Sequence, residues 1–431
     1  MAHDHGPILA DEGELHWTLD GRPMTRAHDG ETVTDALLRQ GELTLSRSAK
    51  YRRPRGAYCL RGDCGSCLVR VDGRPNTRAC TTELRAGMEV ERQNLHGPVN
   101  ADPTGVVDRV FAGGFDHHRF MVKPRVANEI MQAMARQLTG LGRVPDARVD
   151  VQGQPEDVHA KVLVIGAGAA GLTIHEALRA ADIDVVTVER RGCVRDHEGV
   201  RDHTAVFAAY PGESLFAAQH NSGRHNHPER AVFEESLVRL YADHVVFAMG
   251  TREPLLSIPN NDLPGVVAAA GLRDSLIRTR GTLDADCVVI GPSPHAREEA
   301  RSLDISTVID PTHVLALEQR SEYIRVTTVD GEHDARLVIL ASPPAPAHEL
   351  AVMAGATVRF VEHKAPACLG FIVERDSSGF AGTMPGPRQV KLWAAGGVCG
   401  VTDADSAVSD GQNVARAIIE QIKTPEGGDT T

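Results

Sequence analysis

The spacing of apolar and polar positions changes character several times along the chain. Residues 15–27 (LHWTLDGRPMTRA) alternate in two short runs around Asp20–Gly21, the pattern of a β-hairpin. ETVTDALLRQG then places Val33, Ala36 and Leu37 at helical spacing and stops at Gly41. Alternation returns over Cys67–Val71, which turns at Asp72–Gly73. RVANEIMQAMARQLTGLG has helical periodicity and ends at Gly140–Gly142, and the polar VPDARVDVQGQPEDVHA after it reads as a linker. From Lys161 the text becomes that of a strand buried on both faces (Val162–Ile165), a glycine-rich turn, a helix and a second apolar strand ending at Glu189. ADHVVFAMGTRE, CVVIGPSPHAREEARSLDISTVID and the terminal KLWAAGGVCGVTDADSAVSDGQNVARAIIEQI repeat the strand–turn or strand–turn–helix theme. The pattern predicts an α/β chain with a small strand-rich domain in front of a larger body.

Composition narrows this only a little. The chain has 431 residues with 42% apolar content, enough for two or three cores. A formal net charge of −12 argues against a general nucleic-acid or anionic-membrane binder. The opening MAHDHGPILADEGELHW lacks the basic-then-apolar layout of a secretory signal, and no run approaches the ~18 apolar residues of a membrane span. We expect a cytoplasmic protein.

Four cysteines carry the most specific chemistry. Cys59, Cys64, Cys67 and Cys80 are spaced C-x4-C-x2-C-x12-C, three in one tight loop and the fourth returning beyond a hairpin. This is the ligand spacing of a [2Fe–2S] cluster, and Gly62 and Gly65 let the loop curl so that its N–H groups aim at the sulfurs. Structural zinc is the alternative, although its ligands usually come as two C-x2–4-C knuckles. Cys193, Cys287, Cys368 and Cys399 are scattered singly. Hairpin, helix, cysteine loop and hairpin together resemble the β-grasp fold of plant-type ferredoxins. The basic run Lys50-Tyr51-Arg52-Arg53-Pro54-Arg55 just before the loop reads either as a solvated stretch or as a docking point for a partner or a cofactor phosphate. His117 and His118 have no further ligand at metal spacing.

The second motif is Gly166-x-Gly168-x-x-Gly171 between a strand and a helix, with Glu189 eighteen residues after the last glycine. Gly166 makes the tight turn, Gly168 admits a pyrophosphate and Gly171 allows close helix packing. Ala169 and Ala170 open the helix, whose free N–H groups face the phosphates. Glu189, with Arg190 beside it, is placed for the adenosine ribose. FAD and NAD share this fingerprint. Met249-Gly250-Thr251 resembles the A-T-G segment of two-domain flavoprotein reductases, and Gly396–Gly397 their final turn. FAD members usually carry an Asp there, so Gly397 leaves NAD or another adenine nucleotide beside FAD. In the second unit, Gly291-Pro292-Ser293-Pro294-His295-Ala296 keeps one glycine, and its prolines remove N–H donors, so it reads as degenerate. Asp310 ends its next strand, and the histidines of Gln219–Arg230 read as a polar turn.

With these residues in place the chain resembles the α-subunits of heteromeric sarcosine oxidase and its relatives, the opine, hydroxyproline and proline dehydrogenases and hydrogen cyanide synthase. Asn260-Asn261-Asp262-Leu263-Pro264-Gly265, within Gly250–Leu276, is part of that likeness. The resemblance implies a β-grasp [2Fe–2S] domain over 10–100, a helical connector over 101–160, and a body of two Rossmann-like domains of the pyridine nucleotide-disulfide reductase type. The first would span 161–255 with 380–424 and the second, degenerate one 256–379. It also implies a D-amino-acid-oxidase-like FAD β-subunit that oxidises an amine or amino acid, FMN at a subunit interface, and an external electron acceptor. The chain ends before any folate-binding half and has no C-terminal cysteine cluster, and its stretch Arg191–Asp202 is shorter than in the family. Retention of all four cysteines favours a dehydrogenase whose electrons leave through the cluster. The expected role is electron transfer on behalf of another subunit, with a self-contained NAD(P)H reductase or a structural subunit as alternatives.

Overall fold

The computed structural model describes residues 15–28, 30–48, 52–95, 154–192, 197–221, 235–362 and 368–424, with isolated positions at 99, 126, 128 and 129. The two histidines His117 and His118, Lys50, Tyr51, Cys193 and most of the connector lie outside these residues; Val126, Asn128 and Glu129 are helical, as the periodicity predicts. The chain divides into two compact units, Met1–Val149 with Leu255–Ser342 and Asp150–Pro254 with Pro343–Thr431.

In the first unit the N-terminal residues build a five-stranded sheet, ordered Arg22–Met24, Trp17–Leu19, Glu89–Glu91, Leu68–Val71, Arg74–Arg78. Both predicted hairpins are present, and both turns need left-handed backbone: φ is 52° at Asp20, 74° at Gly21, 46° at Asp72 and 80° at Gly73. Trp17–Leu19 pairs parallel with Glu89–Glu91, which closes the grasp around the helix Val33–Arg39. That helix begins in a reciprocal capping box between Thr32 and Asp35 and ends at Gln40, followed by Gly41 at φ 73°.

The same unit contains a parallel sheet ordered Val266–Ala268, Leu337–Leu340, Cys287–Ile290, Val308–Ile309. Tyr58 and Cys59 of the cysteine loop are buried in one core with Val266, Ala268, Val288 and Leu340 of that sheet. The ferredoxin-like domain and the second nucleotide-type domain therefore share apolar surface and do not merely sit at two ends of a tether.

The second unit is organised by one long strand, Glu235–Phe247. Its first half pairs antiparallel with Leu215–Asn221 and its last four residues pair parallel with Val390–Ala394, while Glu156–Ile165 runs beside it from Val238 to Phe247. Residues 156–160, expected in the linker, are thus strand. They carry charged side chains paired with the sheet's own edge, Asp157 with Arg239 and Glu156 with Arg201, so hydropathy had no signal to offer. The helix Ala404–Lys423, capped by Asp403 on Ser406 N, crosses the helix Ala169–Ala180 where a Cβ on Gly411 would lie 2.7 Å from Ala170 O. Residues 343–379, expected with the second nucleotide-type domain, group with this unit. Among the described residues no helix is long and apolar enough to cross a membrane.

Candidate metal centre and nucleotide site

The cysteine loop leaves the strand Pro54–Arg55 and returns to the sheet at Leu68. It curls through left-handed backbone at Leu60 (φ 52°), Gly62 (85°) and Gly65 (66°), and at Gly62 a Cβ would lie 2.7 Å from Thr81 Cγ2. The short 3-10 turn Ala79–Thr81 brings Cys80 back. All four thiols are free. Cys67 Sγ and Cys80 Sγ stand 3.3 Å apart, far longer than the ~2.05 Å of a disulfide. Asp63 N and Cys64 N donate to Cys59 Sγ at 3.2 and 3.4 Å, and Ser66 N donates to Cys64 Sγ at 3.5 Å.

Thiol-to-thiol hydrogen bonding splits the four. Cys59, hydrogen-bonded by Cys64, and Cys67, hydrogen-bonded by Cys80, are held below the ordinary thiol value. Cys64 and Cys80 are pushed above it, in each case chiefly by their hydrogen bond with Cys59. Sulfurs this crowded and largely buried need a cation among them before all four can be thiolates, which is the service iron gives. Among the described residues no three His, Cys, Asp or Glu side chains converge as a single-metal site requires. Cys59 is hydrogen-bonded with both Cys64 and Cys80, and Cys80 with Cys67, so the four sulfurs form one connected cage, and a binuclear cluster asks for four such ligands, two on each iron. The residues fit a [2Fe–2S] group.

Ser66 was not singled out by sequence. Its Oγ accepts from Tyr58 N at 3.1 Å and lies 3.0 Å from Cys64 Sγ. Against a thiolate, which has no proton to give, the hydroxyl is the only possible donor of this pair.

The loop is clasped to the second nucleotide-type domain within the same unit. Tyr58 O accepts from Ala268 N at 2.9 Å, and Arg61 pairs with Asp274 at 3.0 Å. A Cβ at Gly271 would fall 2.1 Å from Cys59 O, so the helix Ala269–Thr279 carries glycine where the loop crosses it. Asp35, 1% exposed, accepts from Arg278 Nε and Nη2 at 2.8 and 2.9 Å and from Ser275 Oγ while still capping its own helix. Two arginines of the basic run, both partly exposed, pair within the same unit. Arg53 donates to Asn260 Oδ1 at 2.8 Å and to Asp262 Oδ1 at 2.7 Å, and Arg55 takes Asp262 Oδ2 at 2.7 Å. The Asn260–Gly265 motif thereby serves as a clasp, and Pro264 sits where a Cβ on Gly56 would meet its Cα at 2.9 Å.

In the second unit the glycines of the fingerprint divide the labour as expected. A Cβ at Gly166 (φ 105°) would lie 2.4 Å from Ala248 O and one at Gly171 1.9 Å from Gly166 O, whereas Gly168 faces open space. Gly168 caps the helix without a side-chain hydrogen bond, leaving the N–H groups of the first turn, from Ala169 and Ala170 on, toward that opening. Glu189 is 7% exposed and turned back on its own chain: Oε2 accepts from Ala167 N at 2.9 Å, and Oε1 from Arg191 N and Nε at 3.1 and 3.3 Å. Arg190 is exposed. The final turn is also closed. A Cβ at Gly397 would meet Gly250 Cα and C at 3.0 Å, so an aspartate there would collide with the Gly250 segment. Beside it Asp410 accepts from Gly396 N at 2.7 Å and pairs with Arg375 at 2.7 Å. Neither Asp410 nor Arg375 had a sequence signal, since one sits inside a helix and the other beside a turn.

In the second nucleotide-type domain, a Cβ at Gly291 would lie 2.3 Å from Ala341 O, and the helix His295–Ser302 starts at Pro294 with no side-chain cap. Asp310 is committed to Thr312, whose hydrogen bonds hold its carboxyl below the usual range. Burial pushes the thiols of Cys287 and Cys399 each up to about 12. His220, part of the expected polar turn, is in a strand with Nδ1 2.9 Å from Thr204 Oγ1; residues 222–234 lie outside the described ones.

Residues 12–95 match the 2Fe-2S iron-sulfur cluster binding domain family. The hydrogen cyanide synthase subunit HcnA of Pseudomonas aeruginosa is 40% identical over 92 residues, covering 21% of this chain and 85% of that one. The sarcosine oxidase subunit alpha of Rhizobium meliloti is 28% identical over 305 residues, 61% of this chain. The match takes in only 30% of that larger subunit. L-proline dehydrogenase from P. horikoshii has the same fold, with a TM-score of 0.66 at 17% identity over 97% of this chain and 76% of that one. Cysteine loop, β-grasp sheet and two-domain body together place the chain in the family of sarcosine oxidase α-subunits and hydrogen cyanide synthase HcnA subunits, oxidoreductase subunits with an N-terminal [2Fe–2S] domain.

Proposed function

We propose that this chain is the electron-transfer subunit of a heteromeric flavin-dependent amine or amino-acid dehydrogenase, with Cys59, Cys64, Cys67 and Cys80 as the ligands of its cluster. When bound, a [2Fe–2S] group accepts and releases one electron at a time and does no substrate chemistry. The carrying observation is that three free thiols of one loop and that of Cys80 are linked by thiol-to-thiol hydrogen bonds, in a loop fixed on both sides by the β-grasp sheet and by the helix Ala269–Thr279. Asp63 and Cys64 N–H groups and the Ser66 hydroxyl neutralise thiolate charge. Gly271, Asp35 and Arg278 hold the loop in place. Oxidation of the amine or amino acid belongs to a D-amino-acid-oxidase-like flavoprotein partner, which the hydrogen cyanide synthase and sarcosine oxidase relatives, both named as subunits, support.

The opening at Gly168 and the helix behind it would hold the pyrophosphate of FAD or another adenine dinucleotide; Gly166, Gly171, Gly250, Gly396 and Gly397 shape its walls. Because Glu189 and Asp410 are already engaged by the chain, this nucleotide has a positioning role and no redox turnover of its own. Co-expression with candidate flavoprotein neighbours tests the reading. Substrate added anaerobically to the purified complex should reduce the flavin first and then the cluster, whereas NADH should bleach neither. A chain that is active alone, or that NADH reduces, contradicts it.

A further inference from the structure

A cleft of about 340 Å³ opens beside the cysteine loop, and Cys64, the exposed one of its four cysteines, lines it. The other three are 2–5% exposed, so of the four sulfur-bearing residues it is Cys64, on this cleft, that meets solvent. Its lining contains two arginines, Arg47 and Arg55, with polar Ser48, Asn76 and Asn94, and no carboxylate. Arg55 and Arg53 share the one carboxylate of Asp262. Arg47 is held by two backbone carbonyls, Nη1 on Arg52 O at 2.8 Å and Nη2 on Val99 O at 2.9 Å, and among the described residues its buried Nε has no hydrogen-bond partner and no carboxylate pairs with it. On a chain with formal charge −12 this is a local excess of positive charge at the one place where a thiol of the loop reaches solvent.

We propose that this cleft is the electron-exit site and binds a small anionic one-electron acceptor. The inference rests on the relay reading above and adds to it the place and charge of the acceptor. The volume lies at the lower end of small-molecule sites, and guanidinium, hydroxyl and amide donors facing one opening are the set that a phosphate or carboxylate requires. Held by Cys59, Cys64, Cys67 and Cys80, a reduced [2Fe–2S] group would supply one electron per encounter, and the acceptor would be reduced by one. No bond is made and no proton moves.

The experiment uses the full chain with its cluster, reduced by dithionite and mixed with ferricyanide or with hexaammineruthenium(III) in a stopped-flow spectrometer. Asn76→Asp puts a negative charge on the lining at a residue already in left-handed backbone (φ 58°), which aspartate tolerates. Arg47→Gln removes a positive one. Both variants should slow ferricyanide by about three- to tenfold at low ionic strength and leave the ruthenium complex unchanged or faster, with the difference vanishing at high salt. Inorganic phosphate should compete with ferricyanide in the wild type and less well in the variants. Intact cluster absorbance with equal effects on both oxidants, or with none, overturns the cleft assignment alone. A wild-type chain that assembles no cluster overturns the relay reading and this site with it.

Discussion

The cysteine loop and the dinucleotide turn carry equally legible motifs, yet the structure treats their polar groups in opposite ways. In the loop, thiols face one another and backbone N–H groups face the thiols, so the donor set remains available to a metal group. At the dinucleotide turn the expected ligand-binding acid, Glu189, takes hydrogen bonds from Ala167 N and from Arg191, and the final turn is closed by Asp410 and Arg375. A fingerprint therefore reports a backbone path. Whether the groups on that path remain free for a ligand depends on neighbours that lie far away in sequence.

The contrast breaks most violently at the clasp. Asp35→Ala removes the buried carboxylate on which Arg278 and Ser275 converge and the capping-box partner of Thr32, at a cost of about 2–5 kcal/mol. Thermal or denaturant unfolding should show that loss, together with bleaching of the cluster bands at lower temperature than in the wild type. An unchanged midpoint would mean that the loop does not depend on the second nucleotide-type domain. A smaller effect is expected on the other side of the comparison. Glu189→Gln keeps one acceptor and turns an NH2 toward chain donors, costing about 1–3 kcal/mol of stability. Affinity for adenine dinucleotides, followed by calorimetry, should fall less than about tenfold. A large loss of affinity with no loss of stability would make Glu189 a ribose ligand first. The smallest change sharpens the loop itself. Ser66→Ala removes the hydroxyl on Cys64 Sγ and should lower the cluster's midpoint potential by on the order of 20–60 mV, with iron content unchanged. An unshifted potential would show that the hydroxyl proton points elsewhere.

What could be read from sequence was whatever depends on local spacing. The Asp20–Gly21 and Asp72–Gly73 turns, the glycines of the cysteine loop and the strand–turn–helix at Gly166 each need a particular residue at a particular backbone angle or close approach. Long-range pairings were not legible. Arg53 and Arg55 read as a solvated or partner-facing run because Asp262, the one carboxylate they share, is about two hundred positions away. No local spacing marks Gly271, where a Cβ would lie against Cys59 O. Residues 156–160 carry too many charges to announce a strand, and their pairing follows from the neighbouring strand Glu235–Phe247. The capping box at Thr32 and Asp35 is a local signal, but the second task of Asp35, holding Arg278, has none.

The central claim is that the loop of Cys59, Cys64, Cys67 and Cys80 is the working redox site of this chain. Its most direct test is iron, acid-labile sulfide and paramagnetic resonance on the full chain purified without oxygen. The account predicts about two irons and two sulfides per chain, visible bands that bleach with about one electron, and a resonance signal on reduction. A single zinc with no sulfide, or a chain whose metal content is unchanged when Cys67 and Cys80 are replaced by serine, would contradict it.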